Sequence, residues 1–143
     1  DANDHIFGFT CFNDFSARDH QMLEGAGGLG PAKGKDFRTA NAMGPCLVTR
    51  DEIGDGSGLT MIARVTGEEW ARGTSSDMHH SFARIIEHVS RDEDLQPGEF
   101  IGSGPVGGGC GLELGRFLNP GDTVELEIEG IGILRSHIAA ERR

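Results

Sequence analysis

Between residues 122 and 129 the chain reads D-T-V-E-L-E-I-E, apolar and charged residues in strict alternation, the pattern of a strand with one face in a core and the other in water. Residues 131–138, across a turn at Gly130, are its expected partner. Shorter apolar runs predict further strands at 6–12 (I-F-G-F-T-C-F), 45–49 (P-C-L-V-T), 59–65 (L-T-M-I-A-R-V) and 99–102. The acidic, turn-prone residues 51–58 separate two of these. Helical spacing is confined to two places. Residues 17–23 follow Ser16 as cap, and Met78, Phe82, Ile85, Ile86 and Val89 follow Ser75 or Ser76, with Asp77 at the positive end of the helix dipole. The sum is a β-rich α+β domain without internal repeats.

Composition narrows the function. A length of 143 residues suits one domain, and no apolar run approaches the ~18 residues that a membrane helix needs. Thirteen basic against 23 acidic residues give a net charge of −10, which repels phosphate backbones, so nucleic acid is not an expected partner. Three cysteines without C-x-x-C spacing, and no apolar leader, predict a reducing, cytoplasmic setting. The opening Asp1 predicts a trimmed or incomplete product.

Several familiar patterns do not mature into sites. Two segments match G-x-G-x-x-G, at Gly25, Gly27 and Gly30 and at Gly102, Gly104 and Gly107. A dinucleotide-binding loop works because its last glycine opens a helix facing the pyrophosphate. The first match runs into Pro31 and the second into more glycines, so neither predicts that helix. Six histidines lack H-E-x-x-H spacing, and His79 and His80 read as solvated helix residues. Cys110, between two glycines, reads as a small buried thiol.

Residues 13–21 (N-D-F-S-A-R-D-H-Q) are different, because acid, cation and amide meet where a strand gives way to a helix. Arg18 and Gln21, three apart, share a helix face, and Asp14 can point the same way. Such a group offers a hard oxygen to Mg²⁺ or Ca²⁺, a guanidinium fork to a carboxylate and an amide to a carbonyl. A capped surface helix with an Asp14–Arg18 salt bridge is the plainer reading, and these residues alone leave both open.

The run F-G-F-T-C-F-N-D-F-S-A-R-D-H-Q from Phe7, G-K-D-F from Gly34, D-M from Asp77, P-G-E-F-I-G-S-G from Pro97, L-E-L from Leu112 and P-G-D-T-V-E-L-E-I-E-G-I-G from Pro120 resembles the fumarylacetoacetate hydrolase family, in order and over nearly the whole chain. The resemblance implies that family's mixed β-sandwich roll, with residues 1–143 as one catalytic domain lacking its N-terminal part. It implies a homodimer, a divalent metal (Mg²⁺, or Ca²⁺ or Mn²⁺) and a small carboxylate substrate. By resemblance, Asp14 binds the metal, Arg18 and Gln21 face the substrate, Lys35 is the active-site lysine, Thr39 lies near a structural ion, and Glu113 orients a histidine base.

Three departures accompany the likeness. The family's Glu-x-Glu metal pair and its histidine base both lie further upstream than the residues preceding Asp14; His5 is the sole histidine there, and the first glutamate of the chain, Glu24, stands alone after Asp14. Pro105 stands where the family's S-G-T turn ends in threonine. The implied activity is metal-assisted hydrolysis of a carbon–carbon bond in an acylpyruvate-like acid, with a decarboxylase, an isomerase or a non-catalytic domain as alternatives.

Overall fold

The computed structural model describes residues 1–28 and 30–140. In chain order it contains β1 (Gly8–Asp14), α1 (Arg18–Gly25), β2 (Asn41–Thr49), α2 (Arg50–Ile53), β3 (Thr60–Val65), β4 (Glu68–Thr74), α3 (Phe82–Val89), β5 (Thr123–Ile128) and β6 (Gly132–His137). Single 3-10 turns lie at Ala2–His5 and Ser75–Asp77. The described strands form two antiparallel sheets, β1-β2 and β4-β3-β5-β6. The β-rich α+β class expected from the sequence is the class observed.

The alternating segment takes a central place. In β5, Val124 is buried opposite Val65 of β3, while the intervening Glu125 and Glu127 face outward to Arg135 (2.7 Å) and Arg64 (2.7 Å). Opposite charges across neighbouring strands reinforce the register that the apolar face sets. The hairpin to β6 turns at Gly130, and buried Ile131 enters the core. There Cys11 and Val48 of the smaller sheet meet Ile131, flanked by Phe9, Ile53, Ile128 and Leu134. Two thiols tie the sheets together: Cys11 donates to the Gly132 carbonyl and Cys46 to the Ile131 carbonyl. All three cysteines are free, and burial pushes the Cys11 thiol up.

Four local expectations are corrected. Ser16 does not cap α1: its hydroxyl donates back to the Asp14 carbonyl, and Ala17 stands at the cap without a side-chain bond. The second helix begins later than Ser75 or Ser76, because Ser81 accepts from the Arg84 N–H and starts α3 there. Met78, His79 and His80 therefore precede the helix, the two imidazoles edge-to-face at 4.5 Å. Residues 99–102 form no strand; they belong to an irregular stretch that continues to residue 122. Strand β4 was hidden because Glu68, Glu69 and Arg72 break its apolar pattern, as suits an edge strand. Its sequence signal is Thr66-Gly67, a two-residue turn with both residues at positive φ.

Helix α3 shows why its periodicity matters. Phe82, Ile85, Ile86 and Val89 lie on one face, and the Phe82 ring packs tilted against Phe9 of β1 with centroids 4.8 Å apart. No described helix is long and apolar enough to cross a membrane.

The β1–β2 pairing is tight at its far end. A Cβ on Gly8 would lie 2.3 Å from the Val48 carbonyl oxygen. Gly8→Ala is therefore expected to destabilise the fold by about 1–3 kcal/mol, read as a lower urea midpoint. An unchanged midpoint would show that the two strands separate freely there.

Candidate active site

The smaller sheet delivers the first acidic side chain. Its last pair is Asp14 with Asn41, and the Phe15 N–H then donates to the Ala40 carbonyl at 2.8 Å. The end of β1 is thus fixed beside the turn of residues 31–40, which leads into β2. From that turn the Lys35 ammonium donates to Asp14 Oδ2 at 2.5 Å. Lys35 is 28% and Asp14 43% exposed in their side chains, so the pair is wet on one side. The plain expectation of an Asp14–Arg18 salt bridge is replaced by this one.

Arg18 opens α1 and is held by two acceptors. It donates to Gln21 Oε1 at 2.6 Å, one helical turn on, and to Cys110 Sγ at 3.0 Å from the irregular stretch. Arg18 and Gln21 do share a face, as their spacing predicts. These two bonds leave three of the five guanidinium N–H groups for other acceptors. Cys110 is half-buried and serves as an anchor for Arg18. The Glu113 carboxylate accepts from the Cys110 backbone N–H at 3.1 Å, closing the turn that presents the thiol. Glu113 thus reaches Arg18 through Cys110.

Asp14, Arg18, Lys35, Thr39 and Cys110 are among the residues that line an open concavity of about 3320 Å³, and Gln21 and Glu113 do not line it. That volume exceeds the several hundred Å³ of a small-ligand pocket. Thr39 sits on the rim at φ 67°, an unusual conformation for a β-branched residue, with its hydroxyl donating to the Arg38 carbonyl.

The donor set suits a hard cation in part. Asp14 offers a carboxylate oxygen on the concavity, and the Thr39 hydroxyl oxygen keeps lone pairs after its proton is engaged. Among the described residues, however, no group of three or more His, Cys, Asp or Glu side chains gathers with metal-binding geometry. The Lys35 ammonium neutralises Asp14 instead.

The sequence names one residue without indicating its role. Glu24, in the last turn of α1, accepts from three successive backbone amides: Ala32 at 2.7 Å, Lys33 at 2.6 Å and Gly34 at 3.0 Å. These bonds hold its carboxyl below the usual range. A lowered folded-state value means that this contact stabilises the fold at neutral pH and is lost as acid protonates the group. The available signal was a lone glutamate preceding a glycine-rich loop; of that loop, Leu29 lies outside the described residues.

The family model described as fumarylacetoacetate (FAA) hydrolase C-terminal matches residues 1–139. Oxaloacetate tautomerase YisK of Bacillus subtilis is 37% identical over 139 residues, covering 96% of this chain and 45% of that protein. A structure of 5-carboxymethyl-2-hydroxymuconate delta-isomerase from Mycobacterium smegmatis superposes with a TM-score of 0.84 at 30% identity, over 99% of this chain and 51% of that one. Fumarylpyruvate hydrolase from Pseudomonas aeruginosa, in complex with Mn²⁺ and pyruvate, gives a TM-score of 0.86 at 26% identity, over 98% and 57%. The chain spans about half the length of the relatives it matches.

Partial exposure limits what the Asp14–Lys35 pair contributes to folding. A double-mutant cycle with Asp14→Asn and Lys35→Met is expected to give a coupling of at most about 1 kcal/mol in unfolding experiments. A coupling several times larger would make the pair a structural element rather than a chemical one.

Proposed function

Since this chain belongs to the fumarylacetoacetate hydrolase family, we propose that its concave corner binds a small 2-oxo or diketo acid and stabilises an enolate while a carbon–carbon bond next to a carbonyl is hydrolysed. The observation that carries this reading is the Lys35 ammonium set against Asp14, in a concavity that Arg18 also lines. An enolate oxygen needs positive charge already in place, and an ammonium fixed in a half-dry recess supplies it without reorganisation.

Each side chain has a role that its bonds permit. The free N–H groups of Arg18 take the substrate carboxylate, and Gln21 and Cys110 keep the guanidinium from swinging away. In hydrolysis, water adds to the distal carbonyl, the carbon–carbon bond breaks, and its electron pair passes into the enolate of the 2-oxo acid. Lys35 stabilises that charge. A divalent metal, when bound, would polarise the 2-oxo group as a Lewis acid, and Asp14, with the Thr39 hydroxyl lining the same concavity, is the part of this chain suited to hold it. Glu113 acts at one remove, through Cys110.

A second reading is favoured by the likeness to a tautomerase and an isomerase. Keto–enol interconversion passes through the same enolate and moves only a proton, so the corner serves it equally. The proposal also includes a homodimer, in which exposed Phe100, Leu112 and Phe117 are covered, and a cytoplasmic setting for the three free cysteines.

Assays with an acylpyruvate and with oxaloacetate, in Mg²⁺ or Mn²⁺, separate the two readings: one product pair marks hydrolysis, and a change in enol absorbance alone marks tautomerisation. In the active assay Lys35→Met is expected to lower kcat by about 10²–10³-fold, and Arg18→Lys to raise KM chiefly. Full activity in Lys35→Met would refute the enolate role. Because Mg²⁺ prefers about six oxygen ligands, calorimetry on these 143 residues is expected to show no saturation at micromolar Mg²⁺.

A further inference from the structure

The turn that carries Lys35 is held from helix α1 at two levels. Near the helix start, the Ala17 N–H donates to the Gly34 carbonyl at 2.9 Å. Gly34 lies so close to the helix that a Cβ there would stand 2.8 Å from the Gln21 nitrogen. At the helix end, the amides of Ala32, Lys33 and Gly34 converge on the Glu24 carboxylate. Three consecutive N–H groups aimed at one point form a nest of the kind that binds phosphate or carboxylate ligands. Here the chain's own carboxylate fills it, so the loop behind the first G-x-G-x-x-G match is closed to an external anion.

Lys35 is the next residue after the nest. Its own N–H donates to the Ala32 carbonyl at 3.0 Å, and the Asp36 N–H donates to the same carbonyl at 2.8 Å, so the turn is a closed unit. We propose that Glu24 is a positioning residue: by holding the amides of residues 32–34 it fixes the direction in which Lys35 leaves the turn, and with it the distance of the ammonium from Asp14 and from substrate. This deepens the enolate reading and rests on it for its catalytic consequence. The geometric claim stands by itself.

The chain has two lysines, which makes the test direct. Lys33 is 76% exposed in its side chain and Lys35 28%. Lysine acylation by a small ester, read by mass spectrometry, reports each separately. In Glu24→Ala, labelling of Lys35 is expected to rise about five-fold with Lys33 unchanged, as the turn opens locally. In the assay that detects turnover, kcat is expected to fall about 30–100-fold, the cost of misplacing a catalytic group by roughly 1 Å, with KM within about three-fold.

Glu24→Gln keeps size and one acceptor oxygen but turns an amide N–H₂ toward donors. It is expected to fold as the parent does and to show an intermediate rise in Lys35 labelling and an intermediate kcat. A folded Glu24→Ala or Glu24→Gln protein with parental Lys35 labelling would overturn the proposal, even if its melting temperature fell. If the parent turns over neither substrate, the enolate reading fails, while the labelling ratio still decides the role of Glu24.

Discussion

The antiparallel register of β1 against β2 is the constraint on which the site depends. Pairing Asp14 with Asn41 brings a strand end, a helix start and the turn of residues 31–40 to one place, although some twenty residues separate Asp14 from Lys35 along the chain. The side-chain period of a strand is two, so a slip by one residue would turn Asp14 to the opposite face and leave Lys35 without its partner. The register is held from within by Cys11 and Val48, which bury against Ile131 of the β5–β6 turn. Core and site are therefore set by the same ladder.

Much of the framework was legible because its signals are local. Alternation at β5 and the Gly130 turn announced the last hairpin, and the helical spacing of Phe82, Ile85, Ile86 and Val89 announced α3. The misses have local causes too. Ser75 and Ser76 resemble cap residues, yet Ser81 lies nearer the apolar stripe and captures the Arg84 amide. The β4 edge strand is charged on its solvent side, which erases the apolar pattern that marks a strand. Within the site, the Arg18–Gln21 pairing follows from spacing alone. The partnership of Arg18 with Cys110, 92 residues away, follows only from tertiary structure.

Glu24 illustrates a further limit. Its chemistry arises from three backbone amides that have no side-chain signature, so a lone glutamate before a glycine-rich loop was the whole of the signal. The same absence explains why the glycine-rich stretch resembles a phosphate-binding loop in sequence and is something else in space. The nest is filled by the chain's own carboxylate, on the turn that carries Lys35. The chain thus arranges charge in two tiers, Glu24 ordering the backbone and Asp14 receiving the side chain.

The central claim is that Asp14, Lys35 and Arg18 form one corner for a 2-oxo acid head group. A crystal structure of the protein with Mn²⁺ and oxalate tests it most directly. The account predicts a metal ligated by Asp14, with an oxalate carboxylate on Arg18 and the Lys35 ammonium within hydrogen-bond reach of an oxalate oxygen. Oxalate and metal bound together elsewhere, with the Asp14–Lys35 pair intact and solvated, would contradict it.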